Sequence, residues 1–553
     1  MTKNFFYVSI KNRISFYYML KSYESGDLEL LTELEQKYSD LAPQMSERIS
    51  RYRIYKDFFD GSHEQYNIRP EGRRNHKTNL CSVAVREIKD FVMGDFFDFH
   101  VPRVSETAYE KEYLQEAPDI EDEENRSEFI EKLLRSRAFK DPMAKREFGN
   151  AIEDSLIFGD AILYYPYDSK KKTFDIQSLF PGFVRCGFSS LDYEEMDYIF
   201  CEKVISVERA RELYGTEIDS DPYAPALYWD RQTVGAGEFV VVKTYYDKNF
   251  IIKHTREKIF SKKKNTYHEL PIKLFSCFRN PHSPFGVSYL HEIIPIQKEF
   301  NEAISDEADI VKMYANPKAI IKNATKKELD QLKRMWASGL IISTRNIELQ
   351  IVEFKSTIFP IEERIRSIME RFYKVSGLPP VVFGTPEGSI NTGPALTVQF
   401  SPTIRKARHI WGNWEPKIFD MIQFFLKEFE RMNEFVGDKK MKEIINKNYE
   451  VQLIPKFLAP RDESMISNTA IGELNAGLIS KLTAMKKIGV KSPEDEFTVM
   501  AYENFNPFIS PEKVANMQAA LQGGKPMPAT PGPVTPAIPP AGMPMAQGGK
   551  PYV

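Results

Sequence analysis

The sequence is poor in the residues and spacings that carry chemistry. It has four cysteines, Cys81, Cys186, Cys201 and Cys277, and no two stand in a CxxC pair. That excludes zinc-ribbon and thioredoxin-like spacing and fits reduced, buried thiols of a cytosolic product. No GxxxxGK(S/T) phosphate loop occurs, so an ATPase motor is not expected. The HExxH helix and the GxSxG elbow are also missing. The histidines, His63, His76, His100, His254, His268, His282, His291 and His409, lie singly, without the close pairing of zinc ligands. No run of about 18 apolar residues is present, so no membrane span is expected. The first twenty residues are broken by Lys11, Asn12 and Arg13 and lack the apolar core of a signal peptide. An excess of one charge is missing too. Lys+Arg total 75 against 78 Asp+Glu, a net charge of −3, whereas proteins that grip nucleic acid by its phosphates are usually markedly basic.

What is present is an ordinary globular composition, 42% hydrophobic and 28% charged, which excludes global disorder and a collagen-like fibre. At ~150 residues per domain, 553 residues hold three or four domains' worth of structure. The 39 Phe and 27 Tyr are ample for large cores or large interfaces.

Apolar residues at helical spacing over 28–59 predict one or two helices between Gly26 and Gly61. Asn79 is a candidate N-cap for a helix burying Val83, Val85, Ile88 and Val92 and ending at Gly94, before a strand over 96–101. Residues 110–141 are strongly acidic and read as a solvated surface. A helix over 144–158 closes at Gly159. Residues 161–280 read as strands separated by polar turns, with Lys262, Lys263 and Lys264 in one such turn as a solubilising hairpin tip.

From residue 284 the pattern is helical, bent or started by Pro295, and then compact and mixed over 317–357. A second amphipathic helix carries Ile361, Ile365, Ile368 and Phe372 on one face and stops at Gly377. Residues 381–393 hold three glycines and one proline, which make a poor helix and a poor strand. The longest periodic run follows: Trp411, Trp414, Ile418, Ile422, Phe425, Phe429 and Met432 form a seam, with Pro402 and Pro416 as expected kinks. The last 32 residues contain nine Pro and six Gly, a composition that builds no core, and are expected to be disordered.

Five stretches, taken in order, resemble the portal proteins of tailed bacteriophages. They are the helix from Asn79 to Gly94; Gly159-Asp160-Ala161 before an edge strand; and Pro284-Phe285-Gly286-Val287-Ser288 running through Asn301 to Ser305-Asp306-Glu307-Ala308-Asp309. The fourth is Gly393-Pro394-Ala395-Leu396. The fifth is Pro460-Arg461-Asp462-Glu463, with Ala476-Gly477-Leu478-Ile479-Ser480-Lys481 and Ser492-Pro493-Glu494-Asp495-Glu496 after it. Together they span residues 50–505. The acidic insert and the Pro/Gly-rich tail fall outside the shared pattern.

The resemblance implies an α+β portal fold with wing, stem, clip and crown regions, assembling as a dodecameric ring at the capsid vertex of the virion after assembly in the host bacterial cytoplasm. Residues 1–283 would form the N-terminal helices and β-rich wing, 284–316 the first stem helix and 317–357 the clip. Residues 358–377 would be the second stem helix, 378–393 the tunnel loop and 394–436 a long kinked helix. Residues 437–457 would add a wing strand, 458–521 a helical crown and 522–553 the tail. It implies a channel for packaging and ejecting double-stranded DNA without sequence specificity. The ring would dock the terminase large subunit, then the head-tail adaptor, and contact major capsid and scaffold proteins. No enzyme activity, cofactor or membrane is implied. Gly384, Thr385, Glu387, Ser389, Asn391, Thr392 and Gly393 would line the channel, and Lys326, Lys327 and Arg334 would contact clip partners. The charge balance suits that role, since strong phosphate contacts would brake a sliding duplex.

Two other readings stay open on the residues alone. The acids Glu299, Glu302, Asp306, Glu307 and Asp309 form a carboxylate run on a helix that suggests Mg²⁺ and a metal-dependent nucleic-acid enzyme. A phage tail or baseplate protein is the other, although no repeat or long β region is visible.

Overall fold

A computed structural model of the chain describes residues 25–63, 75–94, 97–101, 120–140, 142–188, 196–215, 238–315, 358–384, 393–432, 451–457 and 463–490, with a few shorter pieces between. It divides into two units, before and after Pro460.

The first periodic run is two helices, α1 (Ser25–Asp40) and α2 (Ala42–Asp60), with Pro43 opening the second. Gly61, at φ 77°, closes α2 by donating to Asp57 O. Helix α3 (Leu80–Met93) starts as expected, the Asn79 side chain accepting from Ser82 N. Its buried stripe is Cys81, Ala84, Val85, Ile88, Phe91 and Val92. Val83, expected inside, is 37% exposed because it lies off that stripe. Strand β1 (Phe97–His100) follows. The acidic region is not wholly solvated. It includes α4 (Ile120–Leu133) and a π turn, Leu134–Ala138, whose Ile130, Leu133, Leu134 and Ala138 enter the main core. Helix α5 (Met143–Phe158) ends at Gly159, φ 91°.

The β-rich part holds β2 (Asp160–Tyr164), β3 (Tyr167–Asp168), β4 (Thr173–Phe174), β5 (Gln177–Leu179), β6 (Val184–Gly187), β7 (Tyr198–Ser206), the short helix α6 (Val207–Tyr214), β8 (Phe239–Asp247), β9 (Phe250–His254), β10 (Ile259–Lys264) and β11 (Ile272–Ser276). An antiparallel five-stranded sheet runs β10-β9-β8-β7-β6 and a three-stranded one β11-β2-β5. Two expectations fail here. β2 is the central strand of its sheet, not an edge. Lys262, Lys263 and Lys264 are strand rather than turn, each paired with β9. They stand on the sheet's outermost strand, where exposed lysines block further pairing. Helix α1 rides on this sheet through two buried charge clusters. Arg185 donates to Glu202 (2.7 Å) and to the Tyr38 hydroxyl (2.7 Å), and Lys243 donates to Glu35 (2.7 Å).

Helix α7 (Leu290–Ala315) keeps Pro295 inside it. It starts later than residue 284 because the Ser288 hydroxyl caps it, accepting from Leu290 N at 3.0 Å. Strands β12 (Ala319–Lys322) and β13 (Glu348–Ile351) pair antiparallel, Ala319 opposite Ile351. Helix α8 (Ile358–Ser376) packs along α7. Helix α9 (Gly393–Met432) is one continuous helix of 40 residues, roughly 60 Å long, containing both prolines. It stops short of residue 436 because β14 (Phe435–Val436) turns back on β15 (Lys439–Lys440). Strand β16 (Gln452–Pro455) pairs with β1, Phe97 opposite Pro455.

The predicted α9 seam is the spine of the main core. Trp414, Ile418, Ile422, Phe425 and Phe429 are fully buried. Phe97, Phe139, Tyr165, Phe174 and Phe275 stack around it at centroid distances from 4.3 to 5.7 Å. The second unit contains α10 (Glu463–Asn475) and α11 (Lys481–Ile488), with Gly477 at φ 71° between them and Ala470 and Ala484 buried. Residues 501–553, including the Pro/Gly-rich tail, lie outside the described residues.

Candidate functional site

The α7–α8 pair is rooted where two of the portal-like motifs meet. Gly159 and Gly286 approach so closely that a Cβ on Gly286 would stand 2.4 Å from Gly159 O, and one on Gly159 2.7 Å from Gly286 O. Only glycine fits at either place. The buried Asp160 carboxylate accepts from Gly286 N (2.7 Å) and the Tyr52 hydroxyl (2.6 Å). Arg48, also buried, lies 3.7 Å from Asp160, and its guanidinium sits 3.7 Å over the Phe285 ring. Burial pushes the Asp160 carboxyl upward and Arg48 pulls it back. Ser288 donates to Ile157 O at 2.6 Å, which ties the start of α7 to the end of α5.

Along α7, Gln297, Asn301 and Ser305 recur at a spacing of four and form a buried polar ladder. Leu80 N donates to Gln297 Oε1 (2.8 Å), Thr78 N to Asn301 Oδ1 (3.0 Å) and His76 N to Ser305 Oγ (2.9 Å). The Asn301 amide also reaches His63 Nε2 at 2.8 Å. The ladder satisfies backbone groups that the segment before α3 buries. Beyond it, Arg69 bonds Asp306 and lies 3.4 Å from Asp309, and Arg371 donates to Glu299 at 2.6 Å. Three of the five acids proposed for Mg²⁺ therefore serve as ion-pair partners. Among the described residues no group of three His, Cys, Asp or Glu is placed to hold a metal.

The end of α8 is held by side chains from elsewhere. Tyr289 Oη donates to Ser376 O (2.8 Å), Thr403 Oγ1 to Gly377 O (2.6 Å) and Lys406 Nζ to Ser376 O (3.1 Å). The last carbonyls of α8 are thus capped by α9 and by the residue preceding α7. Burial lowers the Lys406 ammonium, against the pull of Glu292.

Residues 380–383 form a 3₁₀ turn, and Phe383 packs on Phe372 (5.5 Å) and Tyr373 (5.6 Å). The 378–393 segment is accordingly anchored at its start and not extruded throughout. Gly384 is the exposed pivot, at φ 75°, and a side chain there would meet nothing within 4 Å of its Cβ. Gly393 opens α9. Thr385, Glu387, Ser389, Asn391 and Thr392 lie outside the described residues. Lys326 and Lys327 are exposed just after β12, and Arg334 lies outside the described residues.

A family model described as phage portal protein, SPP1 Gp6-like, matches residues 44–504, most of the chain. The chain belongs to that portal family. No curated protein matches it. Membership makes it a structural protein of the phage capsid rather than a catalytic one. No helix among the described residues is long and apolar enough to cross a membrane.

Within this portal chain, the sequence patterns single out Asp160, Gly286, Ser288, Asn301 and Ser305. They pass over Arg48, Tyr52, Gln297, Thr403 and Lys406. For Gln297 a signal exists: polar residues at 297, 301 and 305 share one face of a helix whose neighbouring positions are apolar. Arg48 and Lys406 carry no such signal, because their partners are more than 25 residues away or on other elements.

Proposed function

We propose that the chain closes into a dodecameric portal ring at the capsid vertex, through whose channel double-stranded DNA is packaged and ejected. The observation that carries the reading is the out-and-back path of α7, the β12–β13 pair and α8. It leaves a rigid root at Gly159–Gly286, turns at a short antiparallel hairpin and returns to the same root beside Tyr289. In this assignment α7 and α8 are the stem, and the hairpin with Lys326 and Lys327 belongs to the clip. The clip receives the terminase large subunit during packaging and the head-tail adaptor afterwards, while scaffold and major capsid proteins surround the wing. The glycine pivot at 384 begins a tunnel loop whose small polar residues touch phosphates and release them. The near-neutral charge supports sliding over gripping. Negative-stain microscopy of the pure protein is expected to show rings with a central hole. A stable monomer by light scattering at micromolar concentration overturns the reading.

A further inference from the structure

One large cleft, about 840 Å³, lies between β11 and the second half of α9. Its lining carries Lys248, Lys273, Arg279, Lys417 and Lys427 against two acids, Glu269 and Asp420. Both acids already face a lysine: Lys273 is 3.1 Å from Asp420 and Lys427 is 2.9 Å from Glu269. The balance of the cleft is therefore positive on a chain whose net charge is −3. Phe188, Met196, Leu270 and Leu274 give the same cleft an apolar share. At its rim Lys248 adjoins the end of β10, where Lys264 pairs with Phe250 and Asn265 N donates to Asn249 O at 2.7 Å. A cleft of this size and mixed lining takes a short peptide segment, not a duplex.

The sequence itself contains a complementary segment that the portal reading leaves unused. Residues 110–124 hold eight acids and one lysine, together with Tyr113, Leu114 and Ile120. This stretch departs from β1 and leads into α4, and both anchors pack on one side of α9. Phe97 lies 5.5 Å from Trp411, and Phe139, just beyond the π turn, 5.7 Å from Phe425. Lys417 and Asp420, which line the cleft, sit more than about 100° round the same helix. A connection of about 18 residues tethered at both ends reaches at most roughly 30 Å from its anchors. The acidic segment and the basic cleft thus belong to opposite sides of one chain. Complementary surfaces so arranged pair head to tail, the kind of contact that closes rings.

We propose that the β11–α9 cleft of each subunit receives residues 110–124 of a neighbouring copy. The proposal rests on the ring reading and adds to it a specific contact. Charge sets its register, and the apolar share of the cleft holds Tyr113 and Leu114.

The test is cross-linking of the full-length double variant Glu116→Cys/Lys417→Cys with a short bismaleimide, beside negative-stain images of the same sample. Glu116→Cys/Lys427→Cys serves as a second pair should the first fail to fold. The expected result is a ladder of covalent multimers on a denaturing gel, absent from each single variant. Adding Lys248→Glu and Arg279→Glu should cut the ladder about fivefold, and so should high salt. A synthetic peptide of residues 110–124 added before the reagent should compete. Rings without a ladder, or a cross-link confined to single chains, overturn the proposal and leave the ring standing. Neither rings nor ladder overturns both.

Discussion

Asp160→Asn tests whether the root of the helix pair is set by a buried charge. The side chain of Asp160 is 1% exposed and that of Arg48 is 3% exposed. Asn keeps the shape and the bond from Gly286 N but leaves the guanidinium with no opposing charge. Arg48 would retain only neutral partners: the Tyr52 hydroxyl at 3.1 Å, the carbonyls of Val184 and Pro181 at 3.4 Å, and the Phe285 ring. Breaking a buried pair from one side costs about 3–5 kcal/mol. Replacing both partners costs less, because no charge is then stranded. Arg48→Met/Asp160→Asn should therefore be less destabilised than the sum of its singles by about 1–3 kcal/mol. The assay is urea unfolding at low protein concentration, so that assembly does not add to the midpoint. With a slope of about 3 kcal/mol per M, the single variant should lose about 1 M in midpoint. Single variants costing under about 1 kcal/mol, or a strictly additive double, would refute the argument.

Asp154 and Glu428 both titrate at about 7 in the folded chain, raised chiefly by burial and also by Glu153 and Glu269 respectively. Carboxyls raised in this way favour folding at acid pH and lose that contribution as pH climbs through about 7, so the unfolding midpoint should fall from pH 5 to 8, and less steeply in Asp154→Asn/Glu428→Gln. Gly384→Pro, at φ 75° in the wild type, and separately Thr392→Lys should leave rings intact and slow DNA packaging; wild-type packaging rates in both would place the loop away from the DNA path. Reversing charge at Lys326, Lys327 and Arg334 together should spare the ring and lower packaging in a terminase-driven assay, whereas loss of the ring would make them intersubunit contacts.

Much of the fold is legible wherever one period dominates a long stretch. The α9 seam, the α8 face and the Asn79 cap need nothing beyond side-chain spacing and one hydrogen bond. Residues 262–264 defeat a local reading because three successive lysines show no alternation. The strand exists because β9 supplies a ladder, which lies outside any short window of sequence. The start of α7 is hidden for a similar reason: Ser288 caps it while bonding the end of α5, about 130 residues away in sequence. The root shows the limit most clearly. Gly159, Asp160 and Gly286 stand out as motif residues, but that Asp160 buries an arginine from α2 is a fact of packing, and no periodicity carries it. The tunnel loop and the clip draw their assignment from family resemblance alone, since glycine-rich and mixed segments have many possible roles.

The burial pattern along the helix pair separates what one chain can fold from what it must leave to others. At the root, Leu290 and Ile293 on α7 and Ile368 and Phe372 on α8 are at most 1% exposed, covered by α3 and α9 of the same chain. Ile304 and Ile365 are half-buried, and by Val311 the side chain is 49% exposed. The expectation that both helices present a wholly uncovered apolar face is thus right only for the far half. The Arg69 pairing with Asp306 and Asp309 falls in that far half, beyond the polar ladder. Paired carboxylates there neutralise the helix without closing its surface, because an ion pair at a half-exposed site adds little stability but costs little to solvate. A helix pair fixed at one end and bare at the other folds without its partners and still offers them an apolar face. That division of labour is what a subunit needs if it must be stable before the ring closes.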